Sequence, residues 1–276
     1  MKKRTILLAA VSAALLLGGV YLLVGNYVKQ DMKTADLQPY TMATDVKQEL
    51  DEITVELVQE TDPVEPEQEP SEPGEPVHET LPVKAVEELQ QTAQRIHADY
   101  PDAIGWLYVP GTRIDYPLMQ GSDNEFYLLH AYDGTKLMAG SVFLDWRSEK
   151  HFQNPINICY GHHMKNGTML SDVVKFNDAD FFAAHRIGWL ATSDKVYRID
   201  FFSLAHADCE DVIYDGAQPL SDWMNRLLGL SSISEPLRYG EEDRFISLST
   251  CSRSTGNERT VLTGHLVEVV GGDMDE

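Results

Sequence analysis

Phe245-Ile246-Ser247-Leu248-Ser249-Thr250-Cys251 reads as a single β-strand, and its alternation governs the interpretation of the rest of the chain. Successive side chains on a strand point to opposite faces, so Ile246 and Leu248 share one face while Ser247, Ser249 and Cys251 share the other. The cysteine stands where the strand ends. A connection over residues 252–258 leads to Arg259 and a second apolar run over 260–267. If the two runs form an antiparallel hairpin, Arg259 returns beside Cys251, because paired positions in adjacent strands lie about 5 Å apart. A guanidinium placed there favours a thiolate and can stabilise a developing oxyanion. From pattern alone, a cysteine at a strand end is more often a small buried hydrophobe than a nucleophile.

Outward from this hairpin, β-type segments cover 104–109, 114–118, 141–145, 155–160, 186–191 and 196–204, and they lead into the closing pair at 245–250 and 260–269. Turn signals such as Pro110-Gly111-Thr112 and Asp133-Gly134 separate several of them. Val86, Leu89, Ala93 and Ile96 lie at helical spacing, and Pro101 closes that helix. A second helix is expected from Asp172. A third is expected from Ser221, where Trp223, Leu227 and Leu230 form an apolar stripe and Ser221 stands as a cap. Eight strands with a few inserted helices predict a mainly β fold, a closed or nearly closed barrel.

A second segment, Asn157-Ile158-Cys159-Tyr160-Gly161-His162-His163-Met164, runs from an apolar strand through glycine into two histidines. Adjacent strand residues face opposite ways, so the two rings do not converge on one metal. No His-Glu-x-x-His or paired Cys-x-x-Cys pattern accompanies them, and no acidic cluster has ligand spacing; neither a metal nor a cofactor is expected. Taken alone, either histidine reads as a surface or turn residue. A cysteine and a histidine far apart in sequence, each ending a strand, nonetheless suit thiol catalysis, in which an imidazole activates the thiol.

Lys2, Lys3 and Arg4 precede an uncharged apolar run over residues 5–24. Twenty helical residues rise about 30 Å, the thickness of a bilayer's hydrocarbon core, whereas the apolar core of a secretory signal is usually about 7–15 residues. Residues 1–28 are therefore expected to be a retained anchor, with the basic end cytoplasmic and the remaining chain outside. Residues 29–82 read as an acidic Pro/Glu-rich linker, disordered because prolines remove donors and like charges repel. Residues 83–276 read as the globular domain. The formal net charge of −22 argues against a nucleic-acid surface, which needs a basic patch. Three cysteines, Cys159, Cys209 and Cys251, are too few for a disulfide scaffold, so at least one thiol lacks an internal partner.

Tyr160-Gly161-His162-His163-Met164, Leu248-Ser249-Thr250-Cys251 and Arg259 resemble the three signature pieces of the sortases, and the chain is similar, more narrowly, to class B. Supporting pieces occur in order from about Val83 to Val269. They include Gly105-Trp106-Leu107-Tyr108-Val109-Pro110-Gly111-Thr112, Gln120-Gly121-Ser122-Asp123-Asn124, Tyr127-Leu128-Leu129-His130 and Ala139-Gly140-Ser141-Val142-Phe143-Leu144-Asp145. The resemblance implies an eight-stranded sortase-like β-barrel with a helix before its last strand pair. It also implies a cysteine transpeptidase that cleaves a C-terminal sorting motif after threonine. Cys251 would form a thioacyl-enzyme, resolved by an amine on a cell-wall precursor or by a pilin lysine. His162 matches the family's histidine because it directly follows Tyr160-Gly161, while His163 occupies a position that varies. Arg259 matches the arginine that opens the last strand.

By the same resemblance Asn124, Leu128, Tyr160, Ser249 and Ile213 line the substrate groove. Many class B members carry an acidic residue one or two positions after the cysteine; this chain has Ser252 and Arg253, which makes the site Cys-His-Arg and not Cys-His-Asp. Cys159 reads as a buried inward-facing thiol ahead of one that approaches Cys251, and Cys209 has no assigned role. The implied partners are surface proteins bearing a sorting motif, an amine acceptor and the membrane. The implied location is the cell membrane, single-pass, with the catalytic domain extracellular. Pilin polymerisation is the close alternative. The lid motif of class C pilin enzymes, Asp-Pro-aromatic, finds only Asp62-Pro63 followed by Val64. A thiol protease of the same fold would differ in admitting water to the acyl-enzyme, and an anchored binding module would need no chemistry at all.

Overall fold

Each expected β segment is a strand in the computed structural model, which describes residues 34–60, 80–251 and 256–272. The strands are β2 (Ala103–Tyr108), β3 (Asp115–Met119), β4 (Val142–Leu144), β5 (Ile156–Tyr160), β6 (Ile187–Ala191), β7 (Val196–Asp208), β9 (Phe245–Cys251) and β10 (Glu258–Gly272). They pair in the order β10-β9-β5-β4-β3-β2-β6-β7, and β7 pairs back onto β10 to close an eight-stranded barrel. Two short strands, β1 (Thr80–Pro82) on β10 and β8 (Ser231–Ser234) on β7, flank the ring and were not expected.

Alternation fills the barrel as the opening strand predicts. Ile246 and Leu248 are buried with Leu118, Leu144, Leu190 and Leu262 in one apolar cluster. Long β10 serves two neighbours, and its register shifts between Thr263 and Gly264 where it crosses β7. A Cβ at Gly264 would run into Ile199 and Phe201, so only glycine allows the strands to approach there.

Helix α2 (Val83–Asp99) buries Val86, Leu89, Ala93 and Ile96 as their spacing predicts, and it ends before Pro101. The region from Asp172 departs from expectation: Leu170–Asn177 is a 3-10 helix, and α3 (Ala179–Ala184) begins only after Asp178, whose carboxylate accepts from the Phe181 amide at 2.9 Å. Helix α4 (Leu220–Leu230) starts two residues earlier than a Ser221 cap would place it. Pro219, not Ser221, holds its cap position, with no side-chain cap bond.

The larger correction concerns the expected linker. Within residues 29–82, Thr44–Glu60 form a helix, α1, that packs on α2 and β6. Val46, Leu50 and Leu57 recur at helical spacing and are buried, so this stretch has an apolar face despite its acidic composition. Lys47 pairs with Asp115, the Tyr108 hydroxyl donates to Asp51, and Trp189 Nε1 donates to Thr54 Oγ1 at 3.0 Å. The Pro/Glu tract, residues 61–79, lies outside the described residues. It joins two elements of one folded unit, α1 and β1. The expected anchor, residues 1–28, also lies outside the described residues; among those described, no helix is long and apolar enough to cross a membrane.

Candidate active site

The hairpin of β9 and β10 has the register that the sequence suggests, with Arg259 directly opposite Cys251. Beyond the turn, Arg259 Nη1 donates to the carbonyls of Gly256 and Glu258 at 3.2 Å each, which holds the guanidinium at the mouth of the loop. Ser252 and Arg253 lie outside the described residues. On the other side of β9, β5 runs parallel in the register Tyr160↔Ser249, so both strands deliver their ends to the same rim of the barrel.

His162 follows from that rim. Its Nε2 lies 2.8 Å from the Leu128 carbonyl. A carbonyl can only accept, so Nε2 carries the proton and Nδ1 is the nitrogen left for proton exchange. A main-chain carbonyl thus holds the ring from its Nε2 side. Leu128 is fixed in turn: it closes the 3-10 helix Phe126–Leu128, and Gly140, at φ +57°, packs so close that a Cβ would strike the carbonyls of Tyr127 and Leu128. His163 turns away from His162, and its Nδ1 meets the Cys251 carbonyl at 2.8 Å.

A cavity of about 480 Å³ is lined by Cys251, His162 and Arg259 together with Asn124, Leu128, Tyr160 and Ser249. Seven of the eight residues singled out in the sequence thus meet in one place. Ile213 does not. It is buried beneath α4, where its carbonyl accepts from Trp223 Nε1 at 3.0 Å. The adjacent Tyr214 lines the cavity instead, and its hydroxyl is 3.0 Å from Ser249 Oγ. Burial pushes the Tyr214 phenol up to about 12, against the opposing pull of the Ser249 bond and the Arg259 charge.

Two further members escaped the sequence. Asp145, at the end of β4, is almost wholly buried and accepts from Asn124 Nδ2 at 3.0 Å, Tyr160 Oη at 3.0 Å and Arg147 Nη2 at 2.7 Å. Burial works to raise its carboxyl, but the bonds from Arg147, Asn124 and Tyr160 outweigh it and hold the group below the usual carboxylate range. Arg147 reaches on to the Tyr214 carbonyl at 2.9 Å, so one ion pair ties the two walls of the groove together. The signal in the sequence was a charged pair closing a fully apolar strand.

The remaining thiols separate clearly. Cys159 pairs with Leu248 in register and faces the barrel interior, across the wall from Cys251, and burial pushes its thiol far up. Cys209 lines the cavity from the end of β7, and its amide donates to the Asn257 carbonyl at 2.8 Å. Among the described residues no group of three His, Cys, Asp or Glu side chains could hold a metal ion.

A closed eight-stranded barrel whose strand ends bring cysteine, histidine and arginine into one cavity has the architecture of a sortase. Relatives agree. The chain is 33% identical over 172 residues to sortase B of Listeria monocytogenes, covering 60% of this chain and 70% of that one. It is 26% identical over 174 residues to sortase B of Staphylococcus aureus, covering 61% and 71%. A solved Streptococcus pyogenes class B sortase involved in pilus biogenesis superposes with a TM-score of 0.58 at 28% identity, covering 63% of this chain and 96% of that one. No family model matches. The chain belongs to the sortase family of transpeptidases, and within it to class B.

Proposed function

We propose that Cys251 is the nucleophile of a transpeptidase that cleaves a sorting motif after threonine and transfers the surface protein to a cell-wall amine. The observation that carries this reading is the facing pair Cys251 and Arg259, with His162 in the same cavity and its Nε2 proton committed to Leu128. The Cys251 thiolate attacks the threonine carbonyl, and the carbonyl π electrons move to oxygen. Arg259, always charged and rich in donors, stabilises that oxyanion without competing for protons. Collapse breaks the C–N bond, His162 gives its Nδ1 proton to the departing amine, and a thioester remains on Cys251. An incoming amine then attacks the thioester, losing its proton to Nδ1, and Cys251 leaves as thiolate. Atoms and charge balance with no cofactor.

Asn124, Tyr160, Ser249 and Tyr214 bind the motif in this reading, and the Asp145–Arg147 pair fixes the first two. Residues 1–28 anchor the enzyme in the cell membrane with the domain outside. A pilin lysine as acceptor is the second reading, favoured by the pilus role of the Streptococcus pyogenes relative.

The test uses the purified full-length chain with a library of five-residue peptides carrying threonine before the scissile bond, with and without triglycine, read by mass spectrometry. A covalent adduct on Cys251 and an amide product with triglycine are expected. Efficient hydrolysis with no amide product at any triglycine concentration would overturn transfer in favour of a thiol protease. Absence of any adduct would favour a binding module.

A further inference from the structure

Strand β5 parallels β9 as far as the rung in which the Gly161 amide donates to the Ser249 carbonyl at 3.2 Å. In a parallel ladder the rungs repeat every second residue, so the next would join the amide of residue 163 to the carbonyl of Cys251. The main chain does not make it. At His162 the backbone leaves β9: the His162 carbonyl accepts from the Leu170 amide at 3.1 Å, and His163 pairs with Met169 as an isolated bridge. That departure lets the His162 ring enter the cavity. It would also leave the β5 side of Cys251 without a rung.

The His163 side chain fills the gap, because its Nδ1 lies 2.8 Å from the Cys251 carbonyl and must donate to it. Between these rungs, Thr250 Oγ1 donates to the Gly161 carbonyl at 2.8 Å. We infer that His163 is a positioning residue for the nucleophile, a side-chain rung that holds the end of β9 where the backbone ladder has stopped. The inference rests on the assignment of Cys251 as nucleophile. The adjacent histidines thus have separate tasks: the first exchanges protons, and the second keeps the thiol in register. A displacement on the order of 1 Å at a reacting atom can cost about 100-fold in rate, so even a loosened strand end is visible in turnover.

The test measures single-turnover acylation of the full-length chain by a peptide from the library above that forms an adduct, at a temperature well below each variant's melting point. His163→Ala should slow acylation about 10-fold with KM within about twofold, the pattern of a misplaced nucleophile. His163→Asn, whose Nδ2 superposes on Nδ1 and also donates, should recover to within about threefold of the parent. His163→Asp has the same shape but sets an acceptor against an acceptor, so it should be as slow as alanine even if the alanine variant folds poorly. The inference is overturned if His163→Ala acylates within twofold of the parent, or if asparagine and aspartate are equally slow. Cys251→Ala, run alongside, separates the two failures. Acylation that survives there overturns the nucleophile assignment itself, whereas acylation lost there but unchanged in the His163 variants overturns only the rung.

Discussion

Two stretches of the same barrel exterior are built in opposite ways. Beneath α1 and α2, the outer faces of β2 and β6 are dry: Trp106 and Trp189 are fully buried, and their indole donors are matched singly, to Asp115 Oδ1 at 2.7 Å and Thr54 Oγ1 at 3.0 Å. Along β4, β5 and β9 the outer face is left uncovered around Cys251, and its polar side chains converge on Asp145 and on an open cavity. Buried polar groups cost free energy unless paired, so the covered wall uses isolated bonds inside an apolar layer. The uncovered wall fixes dipoles in advance around a space that a substrate can fill. The covered wall should therefore govern stability and the uncovered wall rate, and each can be perturbed without the other.

The largest effect is expected at the uncovered wall. Cys251→Ala should lower turnover by at least about 1,000-fold and leave the melting temperature nearly unchanged. Arg259→Lys keeps the charge but loses the planar fork, and should cost about 100-fold in kcat with little change in KM. A loss below threefold in that variant would reduce Arg259 to a strand residue. On the covered wall, Leu50→Ala opens a cavity between α1 and α2 and should cost about 3 kcal/mol. Calorimetry would then show a fall of roughly 10 °C, with kcat at 20 °C within about twofold of the parent. If kcat fell in step with stability, the two walls would not be separable.

How much of this was legible follows the same division. The eight barrel strands could be read because alternation and turn residues act locally, and the Cys251–Arg259 pairing followed from one hairpin register. Strands β1 and β8 are too short to show a pattern. Helix α1 was hidden by its neighbourhood. Val46, Leu50, Ile53 and Leu57 do form a stripe, but the surrounding proline and glutamate composition dominated the reading. In the groove, choosing His162 over His163 needed a family resemblance, since neighbouring rings on one strand end differ only in where the chain bends next. Ile213 came from the resemblance alone, and in a single 3-10 turn periodicity does not say whether its side chain or that of Tyr214 meets the cavity. The Asp145 network depends on bringing Asn124, Tyr160 and Arg147 together from three separate segments, which no local pattern encodes.

Asp145→Asn tests where the two walls overlap, because this carboxylate is nearly buried yet serves the groove. Its folded pKa lies below the ordinary value, so its contribution to stability is fully present above the unfolded pKa of about 3.9 and is lost as pH falls through the lower folded value. The carboxylate is buried, but Arg147 is half exposed, which places the expected loss at neutral pH at about 2 kcal/mol, below that of a fully buried pair. Melting curves between pH 7 and pH 3 should show the gap between parent and variant narrowing as the solution becomes acid. KM for a motif peptide should rise several-fold, since Asn124 and Tyr160 lose their common acceptor. A gap that stays constant with pH would mean that ionisation of Asp145 is not what holds the groove.

The smallest effect belongs to a single bond on the covered wall. Thr54→Val is close to isosteric, but it leaves Trp189 Nε1 buried without an acceptor. The packing is retained while one hydrogen bond is lost, so the cost should be about 1–2 kcal/mol, a fall of roughly 3–6 °C. Thr54→Ser keeps the hydroxyl and gives up a methyl group, and it should fall less than valine if the bond is the stabilising element. Serine falling further than valine would show that methyl packing, not the indole bond, fastens α1 to β6. Neither variant should alter kcat, because Thr54 on the buried face of α1 and Trp189 on β6 line no part of the cavity that holds Cys251. A change in kcat without a change in melting temperature would place α1 in communication with the groove and break the division between the two walls.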